Sequence, residues 1–252
     1  MIAYDVWTRT TPAGYGAAEA LDLRFRPRSV LGLLLACIAV LVAAGAAVSV
    51  ARVGLGITSL YGLAPLFDLN REASVPAFFS AIMLLAAAAL LGVIAAAPGA
   101  GRSGTPAHWA LLAAGFLYLS FDEAVSIHEH FNRPMRELLG RPDSHLGWLI
   151  PAGAAVAAVA VYFLPFLRAL PRRHAAMFLG CGALYLAGAF GLEALAEVVA
   201  GGEGERGGAV HSAFVVVEEA CEMLGVACFV YALLDYMASA VPTVRCRAER
   251  AD

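Results

Sequence analysis

Long apolar segments constrain this chain more than any other feature of its sequence. A helix that crosses a bilayer needs about 20 mostly apolar residues, and backbone that faces lipid must satisfy its own hydrogen bonds. Six such segments follow one another, at 30–50, 76–97, 107–129, 146–167, 174–199 and 210–236. The sequence therefore predicts an all-α fold, a polytopic transmembrane bundle of about six helices.

The composition agrees with lipid as the main solvent. Hydrophobic residues make up 61% of the chain and charged residues only 15%, with a mean hydropathy of +0.75. A soluble domain of this size covers its surface with more polar groups than that. The net charge of -3 and the lack of basic runs interleaved with aromatic residues give no support for nucleic-acid binding.

The arginines predict how the bundle is oriented. With six spans both termini share a side, and that side carries eleven arginines against six on the other. Because positive charge favours the cytoplasmic side, we expect both termini in the cytoplasm. The predicted organisation is a cytoplasmic N-terminal segment (1–29), the transmembrane bundle (30–238) and a cytoplasmic C-terminal tail (239–252).

The third segment carries acids into the predicted membrane. Its apolar part, 107–121, has fifteen residues, which as a helix reach only about 22 Å and cannot cross the hydrocarbon alone. We therefore expect the helix to continue through 122–130. The residues on or beside one face of that extended helix are Asp122, Glu123, Ser126, Glu129 and His130.

The fifth and sixth segments place acids at a similar predicted depth. Glu193 and Glu197 are four residues apart in the last third of the fifth, so they share a helical face. The sixth segment carries four polar residues within one arc of its first half: His211, Glu218, Glu219 and Glu222. One common site near the outer side is the economical explanation.

This cluster needs positive charge, because eight acids have no intramembrane Arg or Lys beside them in the sequence. Protons shared between neighbouring carboxyls would supply it, and so would a divalent metal such as iron, manganese or zinc. The candidate metal ligands are His128, Glu129, His211, Glu218 and Glu222. The candidate catalytic groups or proton carriers are Asp122, Glu123 and Glu219.

A plainer interpretation is a solvated outer vestibule in which helix ends happen to be acidic. Depth argues against it, because Glu218 and Glu222 are flanked by helix that the membrane requires. Asp68, Arg71 and Glu72, which precede the second helix on the same side, are expected either to cover the site or to form an exposed local ion pair.

Two stretches resemble a group of bacterial polytopic membrane proteins without an assigned activity. The stretches are FDLNREASVPAFFSAIMLLAAAALL and LYLSFDEAVSIHEHF. The matching residues are Phe67, Asp68, Glu72, Pro76, Phe79, Ser80, Leu119, Ser120, Asp122, Glu123, Ile127, His128 and Glu129. The resemblance implies a multi-pass protein of the bacterial cytoplasmic (inner) membrane, and it implies no mechanism.

Three functions are compatible with this pattern. The first is a membrane-embedded metal-binding protein, such as an enzyme that acts on a lipid, a quinone or another hydrophobic substrate. The second is a proton- or cation-coupled transporter that uses the same acids as a relay. The third is an accessory subunit of a larger membrane complex, for which the partners besides the lipid bilayer are other membrane proteins or further copies of the chain.

Overall fold

The computed structural model describes residues 26–57, 59–97, 106–139, 146–199 and 208–240, and within these ranges it is helical, without a β-strand. The α-helices of the described part of the chain are α1 (Pro27–Leu55), α2 (Val75–Ala96), α3 (Pro106–Val125), α4 (Asn132–Leu139), α5 (Leu149–Ala169), α6 (Arg172–Leu186), α7 (Glu193–Val199) and α8 (Ala209–Ala240). The all-α prediction is confirmed.

Four of the long helical segments are long and apolar enough to cross a membrane. A π-helix, Ala187–Leu192, joins α6 to α7, so these three elements form one continuous segment. The four segments are Pro27–Leu55, Val75–Ala96, Leu149–Ala169 and Arg172–Val199. They match four of the six predicted spans. The spanning of α3 and α8 and the placement of the termini stay predictions.

Helix α8 lies at the centre of the bundle. It packs against α1, α2, α6 and the π-helix, while α2 runs along α3. Met223, Ala227 and Leu233 of α8 are 0% exposed, which is the mark of a helix enclosed by others rather than by solvent. The helices packed around α8 therefore each turn one face towards it.

Two apolar clusters hold the bundle together. One contains Ile38, Met83, Leu84 and Met223, and it lies in the half that includes the first part of α8. The other contains Leu91, Trp109, Phe178 and Tyr236, where α2 and α8 end and where α3 and α6 begin. The acidic residues of α8 lie beside the apolar cluster that contains Met223, so apolar side chains pack next to them.

The expected continuation of the third helix through residue 130 is wrong. Helix α3 ends at Val125, and Ser126 takes a left-handed conformation with φ of 58°. That conformation is uncommon for a residue other than glycine and stops an α-helix. A short 3₁₀-helix, His128–Phe131, then leads into α4, so Asp122, Ser126 and Glu129 do not share one helical face.

Glycines allow the α6 segment to approach α8 closely. A Cβ atom on Gly225 would lie 2.9 Å from the backbone nitrogen of Tyr185 and 3.1 Å from the carbonyl oxygen of Cys181. A Cβ atom on Gly188 would lie 2.9 Å from the carbonyl oxygen of Glu218. Small residues at helix contacts are the usual means of tight packing in membranes. This contact brings the π-helix to the acidic part of α8.

Replacement of Gly225 tests this contact. Gly225→Ala is expected to lower the free energy of unfolding by about 1–3 kcal/mol, because the added methyl meets backbone atoms that cannot move aside. The matched control is Gly182→Ala, where a Cβ meets nothing within 4 Å. The measurement is the unfolding midpoint in detergent. Equal midpoints for the two variants would contradict the close contact.

Candidate functional site

Four glutamates from two helices form the centre of the site. Glu218, Glu219 and Glu222 of α8 are half-buried, as is Glu123 near the end of α3. The carboxyl of Glu222 is close enough to those of Glu219, Glu123 and Glu218 to interact with each electrostatically. The carboxyls of α3 and α8 thus come near one another, while their role as one functional site stays a prediction.

The segment formed by α6 and the π-helix closes one side of the cluster. Gly188 lies against the Cγ atom of Glu222, at 3.0 Å from the position its own Cβ would take. Tyr185 interacts electrostatically with Glu222, Glu123 and Glu219. Three elements therefore contribute to the cluster, and Tyr185 of α6 lies near enough to interact with its carboxyls.

A paired aspartate and histidine lie where α3 ends. The Asp122 carboxylate accepts a hydrogen bond from the backbone N–H of His128 at 2.7 Å, and its other oxygen lies 3.0 Å from His128 Nδ1. Asp122 thus holds both the backbone and the ring of His128 across the left-handed turn at Ser126. This is the physical reason why the chain can leave the helix at that point.

A second polar contact links this turn to α7. The rings of His128 and Trp148 are 4.9 Å apart between centroids, and Trp148 Nε1–H donates to Glu193 at 3.1 Å. Asn132, which is buried, accepts a hydrogen bond from the Trp148 backbone N–H at 3.1 Å. The π-helix ends directly before Glu193, so its wider turn sets the direction of that side chain. Such π-helical turns are frequent at functional sites.

Burial and charge act in opposite directions on His128, which lies after the end of α3. Burial lowers the pKa of His128, but the hydrogen bond and charge of Asp122 and the charges of Glu72 and Glu193 raise it, so that its pKa lies above the usual value. Glu72 also interacts with Glu123. The expectation that Glu72 helps to cover the site is consistent with this placement.

No ion pair between described residues joins an arginine to the four glutamates. Arg52 pairs with Asp68, and Arg173 pairs with Asp235. Asp68 is buried, so the expected exposed pairing of Asp68 with its sequence neighbours is replaced by a contact with α1. Among the described residues, a cationic partner that does act on the cluster is His128, which interacts electrostatically with Glu123.

The predicted metal ligands are only partly brought together. Glu218 and Glu222 lie in the cluster and His128 lies at the neighbouring turn, whereas the side chain of Glu129 is outside the described part. His211 lines a small polar cleft with Ser49, Arg52 and Asp68. Within the described residues, no three His, Cys, Asp or Glu side chains are arranged to hold a metal ion. The metal site stays a prediction without support from this geometry.

Three residues of the site were missed by sequence reasoning. Tyr185, Trp148 and Asn132 belong to different helices, and none of them stands in a recognisable motif. The only available signal was for Trp148, a polar-edged aromatic residue at the start of a predicted span, where such residues are common. Their contacts with the acids depend on tertiary packing.

The fold and the site define a class of protein: an all-α membrane protein of several apolar helices with a partly buried carboxylate cluster. The chain belongs to the family described as Domain of unknown function (DUF8692), whose model matches residues 29–236. The match covers most of the chain, in agreement with the expected family of unassigned activity. No curated protein and no solved structure matches the chain.

Asp122→Asn tests the role of the Asp122–His128 pair. Because the folded-state pKa of His128 is raised, the stabilisation by the pair is fully present below the unfolded-state pKa and is lost as the pH rises through the folded-state pKa. We expect the variant to lose about 1–3 kcal/mol of unfolding free energy at about pH 6 and less at about pH 9. Unfolding in detergent at the two pH values measures this.

The control for this experiment is Glu137→Gln, which changes an exposed carboxylate on α4. It should leave the pH dependence of stability unchanged. An Asp122→Asn variant that lost the same stability at both pH values would show that the protonated His128 is not the partner of Asp122.

Proposed function

We propose that this protein moves protons in a membrane, as a proton-coupled transporter whose carboxylate cluster takes up and releases them. The observation that carries the proposal is the cluster itself. Glu123, Glu218, Glu219 and Glu222 are gathered between α3, α8 and the π-helix, and no described arginine is paired with them.

The energy of buried charge supports proton binding. An ionised carboxylate near mid-membrane costs about 2.5–3.5 kcal/mol on insertion scales. Four ionised carboxylates in one place cost more than four times that energy, because neighbouring negative charges also repel. Protonation removes both the cost of burying the charge and the repulsion. A cluster that holds some carboxyls protonated and others ionised is able to accept and return protons.

The contacts around the turn after α3 supply a route to the cluster. His128 is about one-third exposed at its side chain and is bonded to Asp122, which directly precedes Glu123 in the chain. A histidine whose ring exchanges protons with water is suited to this position. Trp148 has only an N–H donor, so its role is to position Glu193 and the His128 ring rather than to carry a proton.

The predicted orientation of the bundle gives the direction in which protons would move. With the arginine-rich side in the cytoplasm, the cluster would lie in the outer half of the bilayer, and His128, beyond the end of α3, would lie at the outer surface of the membrane. The resemblance to bacterial membrane proteins is the support for a location in the cytoplasmic (inner) membrane. Protons would then enter from outside, the direction in which the proton gradient of that membrane drives them.

Proton flux in proteoliposomes tests the proposal. The purified protein is reconstituted with a pH-sensitive dye inside the vesicles, and a potassium diffusion potential drives uptake. We expect the wild type to acidify the lumen faster than empty vesicles, and Glu219→Gln with Glu222→Gln to reduce the rate at least about tenfold, the effect of losing a positioned proton carrier. Glu137→Gln, at an exposed carboxylate, should match the wild type.

A folded double variant that still carries protons would contradict the proposal. If the double variant is folded, as judged by its elution and unfolding midpoint, and retains the wild-type rate, the cluster does not carry protons. A wild-type rate equal to that of empty vesicles would equally count against proton movement.

Metal content separates this proposal from a metal-dependent enzyme. Elemental analysis of the protein grown in metal-replete medium is expected to show no stoichiometric iron, manganese or zinc, since protons already neutralise the cluster. Glu218→Gln with Glu222→Gln is the comparison, because both residues are predicted ligands. Stoichiometric metal that disappears in this variant would replace the proton proposal by a metal site.

A further inference from the structure

A polar cleft lies where the last turns of α1, the segment before α2 and the first turn of α8 meet. Its polar lining residues are Ser49, Arg52, Asp68, Asn70, His211 and Ser212. The cleft contains about 240 Å³ of empty space, part of which opens to the outside. Pockets that enclose a whole drug-sized ligand hold about 300–1,000 Å³, so this cleft suits one small polar group of a larger molecule.

The cleft is separate from the carboxylate cluster. His211 stands seven residues before Glu218 in α8, which is about 10 Å along the helix axis. None of the four glutamates of the cluster lines the cleft. The two sites therefore use different turns of the same helix.

Tertiary packing fixes Asp68 in the wall of the cleft. Its neighbour Leu69 is buried in an apolar cluster, and the Leu69 side chain occupies the place that a Cβ atom of Gly45 would take. Asp68 is itself buried. One of its oxygens accepts a hydrogen bond from the Asn70 backbone N–H at 3.2 Å, and the other pairs with Arg52. Both oxygens are thus engaged, and Asp68 holds the Arg52 side chain in place.

Arg52 is the positively charged donor of the cleft. Its side chain is 31% exposed, and the pair with Asp68 involves Nη2 of a guanidinium that has five N–H donors. The planar fork of arginine matches the oxygen atoms of a phosphate. The hydroxyls of Ser49 and Ser212 and the ring of His211 are further groups able to donate. This set of donors suits a phosphate, whereas a cation would meet the charge of Arg52.

The surroundings of the cleft favour a lipid as the source of the phosphate. Arg52 stands in the last turn of α1, which is long and apolar enough to cross a membrane. Arginines at such helix ends reach the interface, where lipid headgroups lie. Between Arg52 and Asp68 the chain exposes large apolar side chains, among them Leu55, Leu63 and Leu66. Acyl chains would cover these residues, and a soluble phosphate would not.

We propose that this cleft binds the phosphate group of a phospholipid, which accepts hydrogen bonds from Arg52, Ser49, Ser212 and His211. Asp68 positions Arg52. Its negative charge offsets that of Arg52, so hydrogen bonds rather than net charge supply most of the affinity. The acyl chains lie along the apolar segment that joins α1 to Asp68. The site does not depend on proton movement through the carboxylate cluster.

Native mass spectrometry of the delipidated full chain in a non-ionic detergent tests this site. The chain is titrated with phosphatidylglycerol, whose only charge is its phosphate, and with diacylglycerol of the same acyl chains. We expect the wild type to bind phosphatidylglycerol at least about tenfold more tightly than diacylglycerol, the effect of hydrogen bonds to a charged group. Inorganic phosphate, added as a competitor, should displace the lipid only weakly.

The variants separate the roles of the two charged residues. Arg52→Gln with Asp68→Asn removes both charges together, so that neither is left buried alone, and it should abolish the preference for phosphatidylglycerol. Asp68→Asn alone keeps a hydrogen-bond acceptor for Arg52 and should leave the preference equal or larger. The matched control is Arg71→Gln, because Arg71 is exposed and does not line the cleft; it should bind like the wild type.

Ser212→Ala provides a second variant that changes no charge. It should weaken the binding of phosphatidylglycerol about two- to tenfold, the effect of one lost hydrogen bond. Equal binding of the two lipids by the wild type, or a folded double variant that keeps the preference, would overturn the proposal. Inorganic phosphate that displaces the lipid efficiently would show that the ligand is soluble. Because lipid binding is read without proton flux, its failure and that of the proposed function are distinguishable.

Discussion

The cost of placing carboxylates in an apolar bundle governs the arrangement of this protein. Helix α8 carries three glutamates within five residues, and its next turns are almost wholly buried. A helix with that pattern is stable in lipid only if other elements enclose the acids and offer them polar partners. The enclosure is supplied by α3, which carries Glu123, and by the segment of α6 and the π-helix, which carries Tyr185 and Gly188.

Close packing at two glycines fixes how the α6 segment and α8 meet around the acids. The carbonyl oxygen of Glu218 and the side chain of Glu222 lie directly against Gly188, and one helical turn further on Gly225 lies against the backbone of Tyr185. A larger residue at either glycine would separate the helices and admit lipid or solvent to the carboxyls. The π-helix ends directly before Glu193, which accepts a hydrogen bond from Trp148 Nε1–H.

Much of the fold follows from hydropathy alone. Four predicted spans lie near the bounds of helices that are long and apolar enough to cross a membrane, because length and apolarity decide which segments can enter lipid. The proximity of Glu123, Glu218 and Glu222 was also predictable, since helical rise fixes how far each residue lies from its helix end. These features depend on local sequence and on the thickness of a bilayer.

The remainder of the site depends on tertiary contacts that periodicity does not encode. The end of α3 at Ser126 carries no glycine or proline, and it is fixed instead by the bonds of Asp122 to His128. Trp148 meets Glu193 across 45 residues of chain. His211 shares a helical arc with Glu218, yet it lines the cleft beside Arg52 and Asp68. Helical periodicity gives the side of the helix on which a residue lies, but not which residues it contacts there.

Protonation of the carboxylate cluster is the central claim, and infrared spectroscopy reads it most directly. In nanodiscs at neutral pH, the wild type should show the C=O stretching band of a protonated carboxyl, and Glu219→Gln with Glu222→Gln should lose it, while Glu137→Gln keeps it. A wild-type spectrum that contained only ionised carboxylate bands, or a band unchanged in the double variant, would contradict the account.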